Sequence, residues 1–232
     1  MGADVSGPTA QDLVVDVWSD VMCSFCYMGD AAMDLALERF AHRDRVQVRH
    51  HSFMLMPELA AGTRTTFDDL LVTRHGLPRP QARAINAQVA ARAALVGLDY
   101  RTDVAIVTNT RAAHRLTHHA ATLGLQHEML RRLFKAYFTD GLDVGDHGVL
   151  ADLAQEVGLD REEALRVLGS DAFEDALDAD LAQAADLGVT GVPLSVFHGR
   201  HAVSGAQSVE TLLEVLETTW AEVQDACAGV VR

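Results

Sequence analysis

Strand-type and helix-type patterning are segregated along this chain, and that segregation constrains its fold more than any other feature. Near the start, Leu13-Val14-Val15-Asp16-Val17-Trp18 is a short β-rich run, read as a strand buried on both faces. Apolar residues at Met33, Ala36, Leu37 and Phe40 then fall on one helical face. Val46-Gln47-Val48-Arg49-His50 alternates and reads as a second strand. From 63 to 187 the texture changes to Ala, Leu, Arg and acidic residues at helical spacing, punctuated by glycines at 76, 97, 124, 141, 158 and 169. This stretch predicts roughly seven helices and almost no strand. Within it, Asp160 with Glu163 three residues on makes a helix start.

After 188 the strand texture returns. Val192–Phe197 reads as a strand, His198–Arg200 as a turn, and His201–Ser204 as the returning strand. Ser208 caps a last helix to about Asp225, with Leu212, Leu213, Val215 and Leu216 toward the core. The order is therefore β-α-β, a helical block, then β-β-α. No Pro/Ser-rich linker separates the parts, so the block reads as an insertion into one α/β domain. Residues 12–62 and 188–226 are expected to form that discontinuous domain, 63–187 the helical insertion, and 1–11 a loosely tied start.

Composition excludes several classes. The chain has 232 residues, enough to bury a core without disulfide or metal staples. Its formal net charge of −14 repels phosphate backbones, which argues against nucleic acid and anionic membranes as partners. No basic residue precedes Arg39, and no apolar run approaches the roughly 20 residues that span a bilayer. A cytoplasmic location is the expectation. In that reducing compartment three cysteines do not make a disulfide framework.

Two of the three, Cys23 and Cys26, form a C-x-x-C that leaves a strand and enters a helix. The first N–H groups of a helix have no internal partner, and its dipole places partial positive charge there. Thiols at such ends ionise more readily. A second thiol one turn on can attack a mixed disulfide formed at the first, which is what dithiol–disulfide exchange requires. Two other readings compete. Half a zinc site needs two further ligands, and the spacing supplies none. An inert buried pair is the bland alternative. The eleven histidines, including His114, His118 and His119 on one helix and the adjacent His50 and His51, read as solvated or structural, so no metal is expected. No G-x-G-x-x-G or P-loop fingerprint is present, and no bound cofactor is expected. Pro193 opens a predicted strand, a position where proline is tolerated in sheets. Trp18 reads as core, Phe25 as exposed, and Cys227 as incidental.

The segment Ser19-Asp20-Val21-Met22-Cys23-Ser24-Phe25-Cys26-Tyr27-Met28-Gly29 resembles the active-site segment of the DsbA-like thioredoxin superfamily. Asn109–Leu116, Phe134–Phe138, Gly191-Val192-Pro193 and Val203–Gln207 also match its FrnE-like cytoplasmic branch, in the right order from about 13 to 217. The resemblance implies a thioredoxin fold with a large all-helical insertion, and thiol–disulfide oxidoreductase activity. It implies Cys23 as nucleophile, Cys26 as resolving thiol, and a cis Val192-Pro193 bond facing Cys23. Val192, Pro193, Ser24 and Phe25 are the expected substrate contacts, with Asn109 and His114 as further groove candidates. Disulfide-bonded proteins or peptides are the implied partners, with glutathione as a possible redox partner. The branch usually carries Pro-Trp between its cysteines, whereas this chain has Ser24-Phe25, so both reaction directions stay open. Two alternatives remain from the same resemblance and beyond it: a glutathione-dependent isomerase or transferase, in which Ser typically replaces the nucleophilic Cys, and a non-catalytic peptide-binding or chaperone module.

Overall fold

The computed structural model describes residues 12–230, with side chains through 226. The segment 1–11 and the Cys227 side chain lie outside the described residues. Strands β1 (Leu13–Ser19), β2 (Val46–Ser52), β5 (Leu194–Phe197) and β6 (His201–Ser204) form one sheet in the order β2-β1-β5-β6. β2 runs parallel to β1, crossing over through helix α1 (Ser24–Arg39), while β5 and β6 are antiparallel. The last helix, α9 (Val209–Val230), packs beside α1. Between them lies an apolar cluster of Leu13, Val15, Ala32, Met33, Ala36, Phe40, Phe197, Leu212 and Leu216. The chain thus returns from a long excursion to complete the sheet it began, and the fold is a thioredoxin fold with a helical insertion.

The excursion holds helices α2 (Phe67–His75), α3 (Arg79–Ala94), α4 (Arg111–Ala121), α5 (Gln126–Lys135), α6 (His147–Glu156), α7 (Arg161–Leu168) and α8 (Glu174–Asp186). Side-chain caps start several of them: Thr66 accepts from the Asp69 amide, Asp146 from Val149 and Asp160 from Glu163. Ser208 caps α9 in the same way through the Thr211 amide. α5 runs on through a π-helical turn, Ala136–Asp140, that ends at Gly141 with φ 71°. A Cβ there would sit 2.7 Å from the Val104 side chain, so glycine is required twice over.

The structure departs from the sequence reading in small ways. A two-stranded ribbon, β3 (Thr65–Thr66) with β4 (Ile106–Val107), lies inside the stretch read as strand-free. Two residues a side are too few to display a period. β5 begins at Leu194 rather than Val192, because Val192-Pro193 serves as a loop. β1 is not apolar on both faces, since Asp16 lies on the face away from the α1–α9 cluster.

Asp16 is there because β2 extends two residues past its alternating segment, through His51 and Ser52. The His51 ring stacks on Trp18 and sits 2.9 Å from both Asp16 Oδ1 and Asp180 Oδ1 of α8. The Ser52 amide donates to Asp180 Oδ2 at 2.6 Å, and His118 Nε2 lies 3.2 Å from the same oxygen. This polar cluster fastens the insertion to the sheet. Among the described residues no helix is long and apolar enough to cross a membrane.

Burial disfavours a charged His51, but its hydrogen bonds with Asp16 and Asp180 outweigh that and raise its pKa to about 9. Burial likewise opposes the Asp180 charge, yet His118, His51 and the Ser52 amide hold its carboxyl well below the usual range. The folded state therefore favours protonated His51. Its contribution is complete below about pH 6.5, the unfolded value, and is lost as pH rises through about 9. Asp180 contributes above about pH 3.9 and loses that contribution as pH falls. The urea midpoint is expected to decline between pH 6.5 and 9 in the wild type. The decline should be absent from His51→Gln, as followed by circular dichroism.

Candidate active site at the start of α1

β1 ends at Ser19, and Cys23 is the N-cap of α1, with extended φ −88° and ψ 112°. The backbone turns between them through Cys23 N–H to Asp20 O at 3.0 Å. Cys26 and Tyr27 donate their amides back to the Cys23 carbonyl. No acidic side chain occupies the first turn, so nothing there offsets the partial positive charge that the helix presents to an anion.

The turn is held from below by Asp20, which has no solvent exposure. Its Oδ1 accepts from the Thr110 hydroxyl at 2.9 Å and the Met22 amide at 3.3 Å, and lies 3.2 Å from His114 Nε2. Its Oδ2 accepts from the Leu55 amide at 2.7 Å. One carboxylate thus joins the Cys loop, the chain after β2, and α4 of the insertion.

The Val192-Pro193 peptide is cis, and the Cys23 thiol donates to the Val192 carbonyl at 3.5 Å. Residues far apart in sequence meet here as the resemblance implied. Two glycines permit it. A Cβ on Gly29 would lie 3.2 Å from Pro193 Cγ, so only glycine lets the proline ring rest on α1 without displacement. Gly205, at φ 76°, donates its amide to the Pro193 carbonyl at 2.8 Å.

The thiols are more covered than their expected roles suggest. Cys23 is only 6% exposed, although a nucleophile has to meet its substrate, against 2% for Cys26. The cover comes from the insertion: both cysteines belong to the apolar cluster that includes Tyr100, Phe134, Tyr137 and Phe138. Tyr27 is part of that core, stacked between Phe134 and Phe138. Burial raises the Cys26 pKa well above its ordinary value, reinforced by the hydrogen bond its thiol makes to Cys23 and by charge repulsion from it. Phe25 is the exposed member of the motif, at 37%, with the Arg92 guanidinium of α3 lying 5.4 Å from its ring centroid. Arg92 also donates to the Ala206 carbonyl at 3.0 Å, bridging the insertion and the loop beyond β6.

Neither Asn109 nor His114 lines an open groove. His114 is buried on Asp20, and Asn109 donates to the Leu59 carbonyl while accepting from the Arg111 amide, holding the start of α4. Behind the dithiol a cavity of about 110 Å³ runs from Cys26 and Pro193 along α1 to Asp30, His50 and His127. Burial lowers the His50 pKa to about 4. Burial opposes a charge on His127 as well, but its hydrogen bond to Asp30 raises its pKa.

The family model for the DSBA-like thioredoxin domain matches residues 14–217. The chain belongs to that family. It is 38% identical to the "probable DsbA oxidoreductase" of Streptomyces coelicolor, whose crystal structure superposes with a TM-score of 0.87 over 90% of this chain and 91% of the other. It is 26% identical over 203 residues to the "Uncharacterized protein YwbO" of Bacillus subtilis, covering 83% of this chain and 90% of the relative. The cytosolic disulfide reductase DsbM of Pseudomonas aeruginosa, 19% identical, shares the fold with a TM-score of 0.59 over 93% of this chain and 98% of the other. Asp20, Gly29, Arg92 and Gly205 are the site residues that sequence reasoning did not single out. Three of them, Asp20, Gly29 and Gly205, stand inside the segments that carry the resemblance.

Removing the Asp20 carboxylate leaves a hydroxyl and two amides in the interior without an acceptor. Asp20→Ala is expected to lose about 3–5 kcal/mol of stability in urea unfolding, and Thr110→Val, which removes one donor, about 1 kcal/mol. Gly29→Ala should push Pro193 by a few tenths of an ångström. The oxidation of its dithiol by oxidised glutathione should slow roughly 3- to 10-fold with the thermal midpoint unchanged, below the ~100-fold that a full ångström of misplacement can cost.

Proposed function

We propose that this protein is a thiol–disulfide oxidoreductase acting on disulfide-bonded proteins or peptides, with glutathione as its small-thiol redox partner. The observation that carries the reading is the Cys23 sulfur at the N-cap of α1, held against the Val192 carbonyl beside Pro193. Membership of the DSBA-like family supports an oxidoreductase in general.

The cycle follows from the unequal positions of the two thiols. The Cys23 thiolate attacks one sulfur of a substrate disulfide, and the other substrate sulfur leaves as a thiolate. Cys26 stays a thiol meanwhile, because burial and the neighbouring Cys23 hold its proton on. Once Cys23 is tied up in the mixed disulfide, its charge no longer opposes ionisation of Cys26. Cys26 then loses its proton and attacks Cys23, expelling the second substrate thiolate. The substrate gains two electrons and the enzyme keeps a Cys23–Cys26 disulfide. Run backwards, the same steps oxidise a substrate dithiol. Phe25, Ser24 and the Val192 backbone are the proposed contacts for an extended chain. Phe25 supplies exposed apolar surface, and a strand-like backbone can pair along the loop. Arg92 places a cation at this rim for a substrate carboxylate.

Cys26→Ala is expected to accumulate mixed disulfides with reduced-and-reoxidised insulin on non-reducing electrophoresis. Cys23→Ala should trap none and lose insulin reductase activity, while Cys227→Ala changes neither. Alkylation of Cys26 should lag that of Cys23 at neutral pH. Faster alkylation of Cys26, or trapping by the Cys23 variant alone, would reverse the roles. Glutathione conjugation to an electrophile without insulin reduction would favour the isomerase or transferase reading.

A further inference from the structure

We propose that Asp30, His50 and His127 form a binding site for a divalent transition-metal ion of the zinc type. The three residues come from three elements. Asp30 lies on α1 one turn after Cys26, His50 is in β2, and His127 is in the first turn of α5. One ligand atom from each falls within 4.8 Å of the others.

The spacing is close to what a tetrahedral ion needs. Metal–ligand bonds of about 2.0–2.1 Å put neighbouring ligands about 3.3 Å apart. His127 Nε2 is already 3.1 Å from Asp30 Oδ1, and Asp34 Oδ1, one turn further along α1, is 3.7 Å from the same nitrogen. The His50 ligand atom lies within 4.8 Å of the other two, and drawing it in toward about 3.3 Å completes the set. The His50 ring is stacked on His127, with centroids 4.9 Å apart and planes at 14°, so both imidazoles present their edges side by side. The Gln126 side chain donates to the His50 carbonyl at 3.0 Å and holds β2 against the start of α5.

His50 supplies the independent sign of a missing partner. Its Nδ1 is sealed from solvent and has no hydrogen-bond partner among the described residues. Buried polar nitrogens are seldom left so. The ring lines the same cavity as Asp30 and His127, and the volume of about 110 Å³ holds an ion with one or two waters, each about 30 Å³. Two imidazoles and one carboxylate, with a position left for water, are a donor set suited to zinc and its neighbours in the first transition row. The nitrogens count against calcium and magnesium, which take oxygen ligands. An ion here would clamp α5 of the insertion to α1 and β2, at the far end of the cavity that Cys26 lines.

A reduced dithiol binds zinc by itself, so the test uses the full chain with Cys23, Cys26 and Cys227 all replaced by Ser. Zinc is titrated by calorimetry and cobalt by visible absorption. The expected result is one equivalent of saturable binding, a cobalt spectrum without a thiolate charge-transfer band, and a raised thermal midpoint with zinc. His50→Ala and His127→Ala should each weaken binding by more than about tenfold, the least that loss of even an outer-shell partner costs. His127 is partly exposed, so its variant is expected to fold, as checked by circular dichroism. Absence of saturable binding in the Ser variant, or unchanged affinity in both His variants, would overturn the site. Zinc binding only when the cysteines are present would assign the metal to the dithiol and overturn it equally.

Discussion

The hydrogen bonds that converge on the buried Asp20 carboxylate are the interaction on which the site depends. A carboxylate with no exposure is tolerable only when its lone pairs are taken up. Here they are taken by the Leu55 and Met22 amides, the Thr110 hydroxyl and His114 Nε2. The partners come from both sides of the junction between sheet and insertion. The carboxylate therefore fixes the turn that starts α1 and, in the same step, the helix that roofs it. Misplacing any one of these segments strands a buried charge, which makes the arrangement specific as well as stable.

A second polar junction lies along β2, where His51 and Asp180 close the outer end of the same seam. Between the two junctions the contact is apolar, with Tyr27 pressed between the Phe134 and Phe138 rings. The insertion is thus not a loose lid on a finished domain. Its aromatic residues form one core with the cysteines, and this is why both thiols are buried. Burial sets their chemistry apart: it suppresses ionisation of Cys26, while Cys23 remains at the helix end with its sulfur on the Val192 carbonyl. The exposed Phe25 ring, flanked by Arg92, is what the covered dithiol presents outward.

Much of this is legible in the sequence because its signals are local. Period and capping place α1, β6 and the Asp160 helix start, and Ser208 caps α9 as its spacing implies. The C-x-x-C after a strand carries its chemistry in its spacing. What escapes is either too short or too distant. The Thr65–Thr66 ribbon is shorter than any period. His51 and Ser52 are polar, so β2 reads as ending at His50, although Asp16 and Asp180 hold two further residues in the strand. Asp20 and Gly29 are visible as letters, but their roles depend on Thr110 and Pro193, which approach them only after the chain has folded.

The sequence by itself determines the order of elements, the helical excursion and the pair of thiols at a helix start, since these follow from side-chain period and backbone polarity within a few residues. Only the tertiary structure decides how deeply Cys23 is covered, which carbonyl its sulfur meets, and that Asp30, His50 and His127 converge. Those facts depend on packing between segments dozens of residues apart. Packing is set by the joint shape of many side chains, and no local pattern encodes it.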